Sequence, residues 1–236
     1  ATCNKANLKS TAAEVFAETR KGRIMKLIIL SGFLGAGQTS ILMPLAHELV
    51  DSSEKKVGTR LAIIENEIGQ VCIDTVFTEG SGYSSRELFN GCVCCSMAEG
   101  LMDCLVQLQK EEDPEWVILE TTGLARPAEI AENIWNDYDE DMSITTCIVV
   151  DASRWLRLIG PVGSLVFDQL KQANYVLMNK IDLADAETIE KVKADIEGRT
   201  DGKAYAVSVK NDPEGAKKIC QEIVQEIKSW EYCEVN

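Results

Sequence analysis

Short apolar runs rich in β-branched residues recur along the chain, and longer segments with helical periodicity lie between them. The predicted strands are residues 26–30, 60–65, 116–120, 145–150, 175–179 and 204–208. The predicted helices lie near residues 38–50, 96–111, 127–136, 164–173, 185–198 and 213–229. Because alternating strands and helices are joined by crossover connections, this order predicts an α/β fold. We expect a mostly parallel sheet with helices on both faces.

The pattern shows no internal repeat and no low-complexity linker, which favours a single domain over residues 25–236. At 236 residues and 45% hydrophobic composition, the chain is long enough to bury a sizeable core. Residues 1–24 precede the first predicted strand and are expected to form an extension, with helical spacing of apolar residues over 8–20. A natural extension, a tag and a fusion remnant are all compatible with that segment.

The charge balance restricts the class of partner. There are 24 Lys and Arg against 38 Asp and Glu, a net charge of −14, so neither nucleic acid nor an anionic membrane is expected as the main partner. No apolar run approaches the roughly 20 residues of a membrane span. The polar and charged N-terminal stretch is unlike a secretory leader, which predicts a cytoplasmic location with reduced thiols.

The stretch GFLGAGQTS, residues 32–40, follows the first predicted strand and opens the first predicted helix. It fits the phosphate-loop pattern G-x-x-x-x-G-K-[ST], except that Gln38 replaces the lysine. Backbone N–H groups and a helix N-terminus converge on an anion in this arrangement, whatever side chain occupies position 38. The pattern therefore predicts phosphate binding, with the Thr39 hydroxyl on Mg²⁺; a turn that merely joins strand to helix is the alternative.

The tetrapeptide NKID follows the strand predicted over 175–179. Asp182 of this segment can accept hydrogen bonds from both N1–H and the exocyclic amine of guanine, and adenine offers no such pair of donors. As an isolated tetrapeptide the pattern also occurs in ordinary polar turns. At a strand end downstream of a phosphate loop, it predicts guanine recognition.

Two other strand ends carry polar residues. Glu120 ends the strand predicted over 116–120, where an acid beside the phosphate loop can hold Mg²⁺ or its waters. Helix capping by Thr121 or Thr122 is the structural alternative, and it is compatible with the same role. Ser208 ends the last predicted strand and is a candidate to cover the base.

Nine cysteines are present, and three of them crowd into NGCVCCS, residues 90–96. Thiolates spaced Cys-x-Cys-Cys can converge on one soft or borderline ion such as Zn²⁺, Cu⁺ or Co²⁺. Three thiolates leave a coordination position open, as suits an ion that is to be handed on. Cys92, Cys94 and Cys95 are therefore candidate metal ligands; small buried cysteines and a redox dithiol are the alternatives.

Taken together, five segments resemble the motifs of CobW-type GTPases, which belong with the HypB and UreG nickel-insertion GTPases among the P-loop NTPases. They are GFLGAGQT, IENEIGQVCID (64–74), NGCVCC, ILETTGLARP (118–127) and NKID, in this order between about residues 25 and 230. The resemblance implies a three-layer P-loop NTPase fold that binds GTP or GDP with Mg²⁺ and hydrolyses GTP. It also implies delivery of a transition metal, with Zn²⁺ and Co²⁺ as first candidates, to a client metalloprotein or cofactor-assembly protein.

The resemblance assigns residues to these roles by position. Nucleotide binding falls on Gly35, Ala36, Gly37, Gln38, Thr39 and Ser40, and on Asn179, Lys180 and Asp182. Gly32 and Ser208 join these candidates from their own places in the glycine loop and at the last strand end. Catalysis falls on Gln38 with the second switch, Glu120 and Gly123. Metal binding falls on Cys92, Cys94 and Cys95, and on Thr39, Glu65, Glu67 and Glu120, where Glu65–Glu67 is the first switch.

Two departures from the family pattern affect the expected activity. Gln38 replaces the lysine, and Gln70 replaces an acid often found after the glycine of the first switch. We therefore expect impaired hydrolysis, which keeps a non-hydrolysing nucleotide- and metal-binding switch or scaffold open as an alternative. A P-loop kinase acting on a small molecule is a further alternative, and a homodimer is an open expectation. The chain also ends without the second domain that many relatives carry, so client recognition is expected to use this domain, the extension or another chain.

Overall fold

A computed structural model describes residues 24–54, 59–67, 70–78, 97–137 and 142–230. The cysteine motif at 90–96 lies outside the described residues, which resume at residue 97. The same holds for the extension and its predicted helix, of which the structure describes residue 24 alone.

Seven strands and seven α-helices occupy the described part of the chain. The strands are β1 Met25–Gly32, β2 Thr59–Glu67, β3 Gln70–Thr78, β4 Trp116–Glu120, β5 Met142–Asp151, β6 Tyr175–Asn179 and β7 Lys203–Ala206. The helices are α1 Gln38–Ser52, α2 Met97–Glu111, α3 Pro127–Asp137, α4 Trp155–Leu158, α5 Gly163–Leu170, α6 Ala186–Glu197 and α7 Pro213–Trp230. A 3₁₀ turn, Ile181–Leu183, follows β6.

The strands form one sheet in the order β3-β2-β4-β1-β5-β6-β7. Every neighbouring pair is parallel except β2 and β3, which are antiparallel. After β1 the chain builds one half of the sheet with β2, β3 and β4, and it then crosses to the other half with β5, β6 and β7. The sheet thus reverses its direction of growth beside β1, where open α/β sheets bind their ligands at the carboxyl ends of the strands.

Successive residues of the central strands face opposite sides of the sheet and enter separate apolar clusters. Ile28 and Leu30 of β1 pack in a cluster with α1 and α7. Leu27 and Ile29 pack on the other face with α2 and α3. Farther along that face, Ile148 of β5 packs with α4, α5 and α6. The predicted three-layer α/β fold, with a mostly parallel sheet and helices on both faces, is confirmed.

All six predicted strands and all six predicted helices are present, with small differences at their ends. The sequence pattern missed β3 and the short helix α4. In β3 the register against β2 shifts between Ile63, paired with Thr75, and Ile64, paired with Ile73. Asp74 is the extra residue of this bulge, and the apolar alternation changes phase there, which hides the strand from a period-two search.

In the described ranges, no helix is both long enough and apolar enough to cross a membrane.

Candidate functional site

The candidate site lies at the carboxyl end of β1, in the loop that leads into α1. Gly35 and Gly37 have φ angles of 74° and 99°, a region that glycine adopts without strain. A Cβ atom at Gly37 would lie 2.4 Å from Nδ2 of Asn179, and one at Gly32 would lie 2.2 Å from the carbonyl oxygen of Val149. These positions therefore require glycine for the loop to approach β5 and β6 so closely.

Helix α1 begins directly after this loop, and no side chain caps its N-terminus. The backbone N–H groups of Ser40 and Ile41 donate to the carbonyl oxygen of Gly37. The positive end of the helix dipole thus faces the loop, as in sites that hold phosphate groups.

Three side chains donate hydrogen bonds to three successive carbonyl groups on one side of the loop. They are Arg154 to Leu34 (3.0 Å), Lys180 to Gly35, and Asn179 to Ala36 (3.0 Å). In a trans peptide unit the C=O and the following N–H point in opposite directions. Holding the Leu34 and Ala36 carbonyl groups outward therefore directs the N–H groups of Gly35 and Gly37 toward the other side, where an anion would be bound. The N–H of Ala36 donates instead to the carbonyl oxygen of Phe33 within the loop, at 3.0 Å.

Asp151, at the end of β5, joins two of these cations. Its carboxylate lies 2.9 Å from Nζ of Lys180 and 2.8 Å from Nε of Arg154, and it accepts from the hydroxyl of Ser153 at 2.6 Å. Burial raises the pKa of Asp151, but the hydrogen bonds from Ser153, Lys180 and Arg154 outweigh it and bring the pKa below its ordinary value. Asp151 is therefore ionised at neutral pH and fixes both cations against the loop.

The predicted guanine-reading carboxylate, Asp182, lies in the 3₁₀ turn after β6. The hydroxyl of Ser208 donates to its Oδ1, and Nδ2 of Asn211 donates to its Oδ2 at 3.0 Å. The backbone N–H of Val209 lies 3.4 Å from Oδ1 of Asn179. The segment after β7 is thus tied to the NKID segment, and it orients the carboxylate from two sides.

Thr39 and Glu120 meet on the other side of the loop. The Thr39 hydroxyl donates to Oε1 of Glu120 at 3.1 Å. Glu65 is paired in register with Glu120 across β2 and β4, so the two acids lie at the same level on neighbouring strands. Hydroxyl and carboxylate oxygens are ligands that Mg²⁺ prefers, so this donor set fits that ion. The backbone of Glu67 ends β2, and its side chain is outside the described part.

Gln38 turns its side chain toward the end of β4. Its Nε2 donates to the carbonyl oxygen of Thr121 at 3.1 Å. The Thr121 hydroxyl in turn donates to the hydroxyl of Ser31 at 2.8 Å, in a buried contact. The residue in the lysine position is thus a neutral amide engaged with the backbone beside the second switch.

The ETTG segment at the end of β4, the predicted second switch, also contacts the loop. A Cβ atom at Gly123 would lie 2.8 Å from atoms of Leu34, so this position requires glycine where the two segments touch. On the opposite side, the buried Gln169 of α5 donates to the carbonyl oxygens of Gly123 and Ala125, each at 3.1 Å. A change at Gly123 would therefore be transmitted to both the loop and α5.

The structure brings together the loop, the NKID segment, Ser208, Glu120 and Gly123 at one edge of the sheet. The thiols of Cys92, Cys94 and Cys95 lie outside the described residues, which by themselves contain no group of acids, His and Cys arranged as a metal site. Sequence reasoning missed Asp151, Arg154, Gln169 and Asn211. Asp151 had one available signal, since it ends an apolar strand at the edge where Asn179 ends the next one.

Sequence comparison matches a family model and several relatives to most of this chain. The family model described as "CobW/HypB/UreG, nucleotide-binding domain" matches residues 26–206. Zinc chaperone CobW of Sinorhizobium sp. is 29% identical over 225 residues, which cover 83% of this chain and 61% of that protein. Zinc-regulated GTPase metalloprotein activator 1 of Dictyostelium discoideum is 29% identical over 229 residues, covering 80% of this chain and 46% of that protein. The chain thus spans about half the length of these relatives.

Structural comparison finds solved structures of the same fold. The Zn(II)-bound YjiA GTPase from E. coli superposes with a TM-score of 0.53 at 24% identity, covering 80% of this chain and 58% of that one. HypB from Helicobacter pylori in complex with nickel superposes with a TM-score of 0.51 at 17% identity, covering 94% and 95%. At these identities the likeness shows the fold.

Proposed function

Because this chain belongs to the CobW/HypB/UreG family, we propose that it is a guanine-nucleotide-binding domain that couples GTP binding to the binding and delivery of a transition metal. The observation that carries the nucleotide part is the bonding of the NKID segment. Asn179 and Lys180 hold the phosphate loop through Ala36 and Gly35, while Asp182 is oriented by Ser208. One segment would thus join the base site to the phosphate site.

The nucleotide would lie along the carboxyl ends of the central strands. Asp182 would accept from the guanine base, and the loop from Gly32 to Ser40 would surround the phosphates with its N–H groups. Ser208 would act by holding Asp182. An adenine base offers no matching pair of donors to this carboxylate, which supports guanine over adenine and weakens the small-molecule kinase as an interpretation.

Thr39 and Glu120 would hold Mg²⁺, directly or through its waters. Bound Mg²⁺ would neutralise phosphate charge and orient the terminal phosphate. Their hydrogen bond to one another supports this role because both side chains already reach the same point. Glu65, at the same level of the sheet, would respond to that ion as part of the first switch.

Hydrolysis by this chain is proposed to be slow. A lysine at position 38 would carry a full charge to the phosphates, whereas Gln38 is neutral and donates to Thr121. The same contact favours a second candidate function, a nucleotide- and metal-binding switch without turnover. In that case exchange of GDP for GTP, rather than hydrolysis, would change the state of the metal site.

The metal would be held by Cys92, Cys94 and Cys95, which precede α2 in the chain. Relatives named as zinc chaperones support Zn²⁺ as the first candidate and Co²⁺ as its spectroscopic substitute. The recipient would be a client metalloprotein or cofactor-assembly protein in the cytoplasm. Nucleotide-dependent ordering of the switches around Glu65 and Gly123 would link the two sites.

Co²⁺ titration tests this proposal, followed by absorbance and repeated with Mg²⁺ and a non-hydrolysable GTP analogue. We expect one equivalent with thiolate-to-metal charge-transfer bands, and tighter binding with the analogue. Reciprocity requires the metal to tighten analogue binding by the same factor. Replacing Cys92, Cys94 and Cys95 by serine should abolish the bands, whereas Cys104→Ser in α2 is the matched control and should leave them. Bands that survive the triple replacement would refute this metal site.

A further inference from the structure

The phosphate loop carries the neutral Gln38 in place of the lysine of the pattern. Two cationic side chains nevertheless contact the loop on the side of its carbonyl groups. Lys180 donates to Gly35 and Arg154 to Leu34. Lys180 belongs to the NKID motif, whereas Arg154 belongs to no motif recognised in the sequence. Its place in the structure therefore has to be explained by its contacts.

The guanidinium of Arg154 is anchored against the loop, although its side chain remains 39% exposed. Its Nε is 2.8 Å from Asp151, and its Nη2 is 3.0 Å from the carbonyl oxygen of Leu34. A Cβ atom built at Gly35 would lie 3.1 Å from the same Nη2. Two anchors thus fix the charged group beside the peptide unit that joins Leu34 to Gly35.

That peptide unit has its C=O on the arginine side and its N–H on the opposite side, where phosphate would be bound. A charged donor on the carbonyl oxygen polarises the unit and makes its N–H a stronger donor. The charge also acts directly across the thin loop, since a separation of one peptide unit is within the Debye length of about 8 Å at physiological salt.

The negative charge of Asp151 does not cancel the positive charge of Arg154, because Lys180 shares the same carboxylate. One negative charge faces two positive ones, Lys180 at 2.9 Å and Arg154 at 2.8 Å. The group of three side chains therefore carries a net positive charge on the outer side of the loop.

We propose that Arg154 provides, through the Leu34–Gly35 peptide unit, part of the positive charge that Gln38 does not bring to the phosphates. Arg154 is a positioning and polarising residue in this account, because it acts through the loop N–H and does not touch the nucleotide. The proposal rests on the guanine-nucleotide site proposed above.

Arg154→Gln tests the proposal because it removes the charge and retains an amide donor. The affinities of GDP and GMP are measured by competition against a fluorescent GDP, since GMP lacks the β-phosphate. We expect GDP to weaken about five- to tenfold and GMP by less than about twofold. The GDP effect should shrink in high salt, as an effect of charge must.

Arg157→Gln is the matched control, since Arg157 carries the same charge three residues later and donates to Ser153 instead of the loop. It should change both affinities by less than about twofold. A second readout is the Gln38→Lys background, in which Arg154→Gln should weaken GDP by a smaller factor because the lysine already brings the charge.

Equal weakening of GDP and GMP by Arg154→Gln would mean that Arg154 only shapes the site, and would overturn the proposal. An effect no larger than that of Arg157→Gln would overturn it as well. In both cases GDP still binds the unaltered chain, and the proposed nucleotide site stands. Failure of the unaltered chain to bind GDP would instead overturn the site and this inference together.

Discussion

The two sides of the phosphate loop are built differently. On the side of β5, β6 and β7, buried groups hold the loop from outside: Asn179 and Asp151 are each 4% exposed, and they fix Ala36, Lys180 and Arg154. On the side of β2 and β4, the exposed Thr39 donates to the half-buried Glu120, and the half-buried Gln38 donates to the backbone of Thr121.

The difference indicates that the two sides of the loop have different roles. We call the side of β5, β6 and β7 the base side, and the side of β2 and β4 the switch side. On the base side, the buried hydrogen bond from Asn179 to Ala36 and the buried carboxylate of Asp151 fix the loop before any ligand arrives, so nucleotide binding there needs little rearrangement. On the switch side, Thr39 and Glu120 are paired with one another, and Mg²⁺ would exchange that contact for its own. We therefore expect changes on the base side to affect affinity and stability, and changes on the switch side to affect Mg²⁺ dependence and turnover.

Gln38→Lys should produce the largest effect and sharpen the contrast. A lysine there neutralises charge that builds up in the transition state of phosphoryl transfer, so GTP turnover should rise by about a hundredfold or more. GTP affinity should rise about ten- to a hundredfold. Phosphate release in single-turnover assays with Mg²⁺, with and without the candidate metal, measures the change. Equal turnover by the two forms would mean that another residue already performs the task of the lysine.

Asp182→Asn should impair guanine recognition on the base side of the loop. Losing the charged acceptor should weaken GDP by about ten- to a hundredfold, and xanthosine diphosphate should become the better ligand because an amide can donate to its 2-carbonyl group. Asp201→Asn, at an exposed position elsewhere, is the control and should leave GDP binding unchanged. Retention of full GDP affinity would contradict the assignment of Asp182.

Asp151→Asn should lower the free energy of unfolding by about 2 kcal/mol, because it leaves Lys180 and Arg154 without their shared carboxylate. The folded-state pKa of Asp151 is below its ordinary value. Its contribution is therefore complete above the unfolded-state pKa, near 4, and is lost as pH falls through the lower folded-state value. Urea unfolding at pH 7 and at acidic pH should show a gap between the two forms that narrows in acid. A gap that is constant with pH would contradict this account of Asp151.

Thr39→Ala should have the smallest of these effects and act on the switch side alone. Removing the hydroxyl should reduce the gain in nucleotide affinity on adding Mg²⁺ by about tenfold, with little change in Mg²⁺-free GDP binding. Thr39→Ser retains the hydroxyl and should restore the gain. A loss of nucleotide affinity that is confined to Mg²⁺-free conditions would contradict the assignment of Thr39 to Mg²⁺ binding.

The sequence predicted the sheet and its helices because each buried strand of this fold is a short apolar run followed by a periodic helix. It did not predict β3, where the bulge at Asp74 interrupts the alternation. The motif residues of the site were found because they follow strands in order. Arg154, Gln169 and Asn211 were not found, because their roles come from contacts between segments far apart in the chain, such as Gln169 with Gly123.

The most direct test of the central claim is a calorimetric titration of the unaltered chain with GDP, ADP and a non-hydrolysable GTP analogue, all with Mg²⁺. Because Asp182 is in place to recognise guanine, we expect GDP to bind at least about tenfold more tightly than ADP. Because Gln38 replaces the lysine, we expect the GTP analogue to bind no more tightly than GDP. Equal affinities for GDP and ADP would contradict the guanine site, and much tighter binding of the GTP analogue than of GDP would contradict the deficit assigned to Gln38.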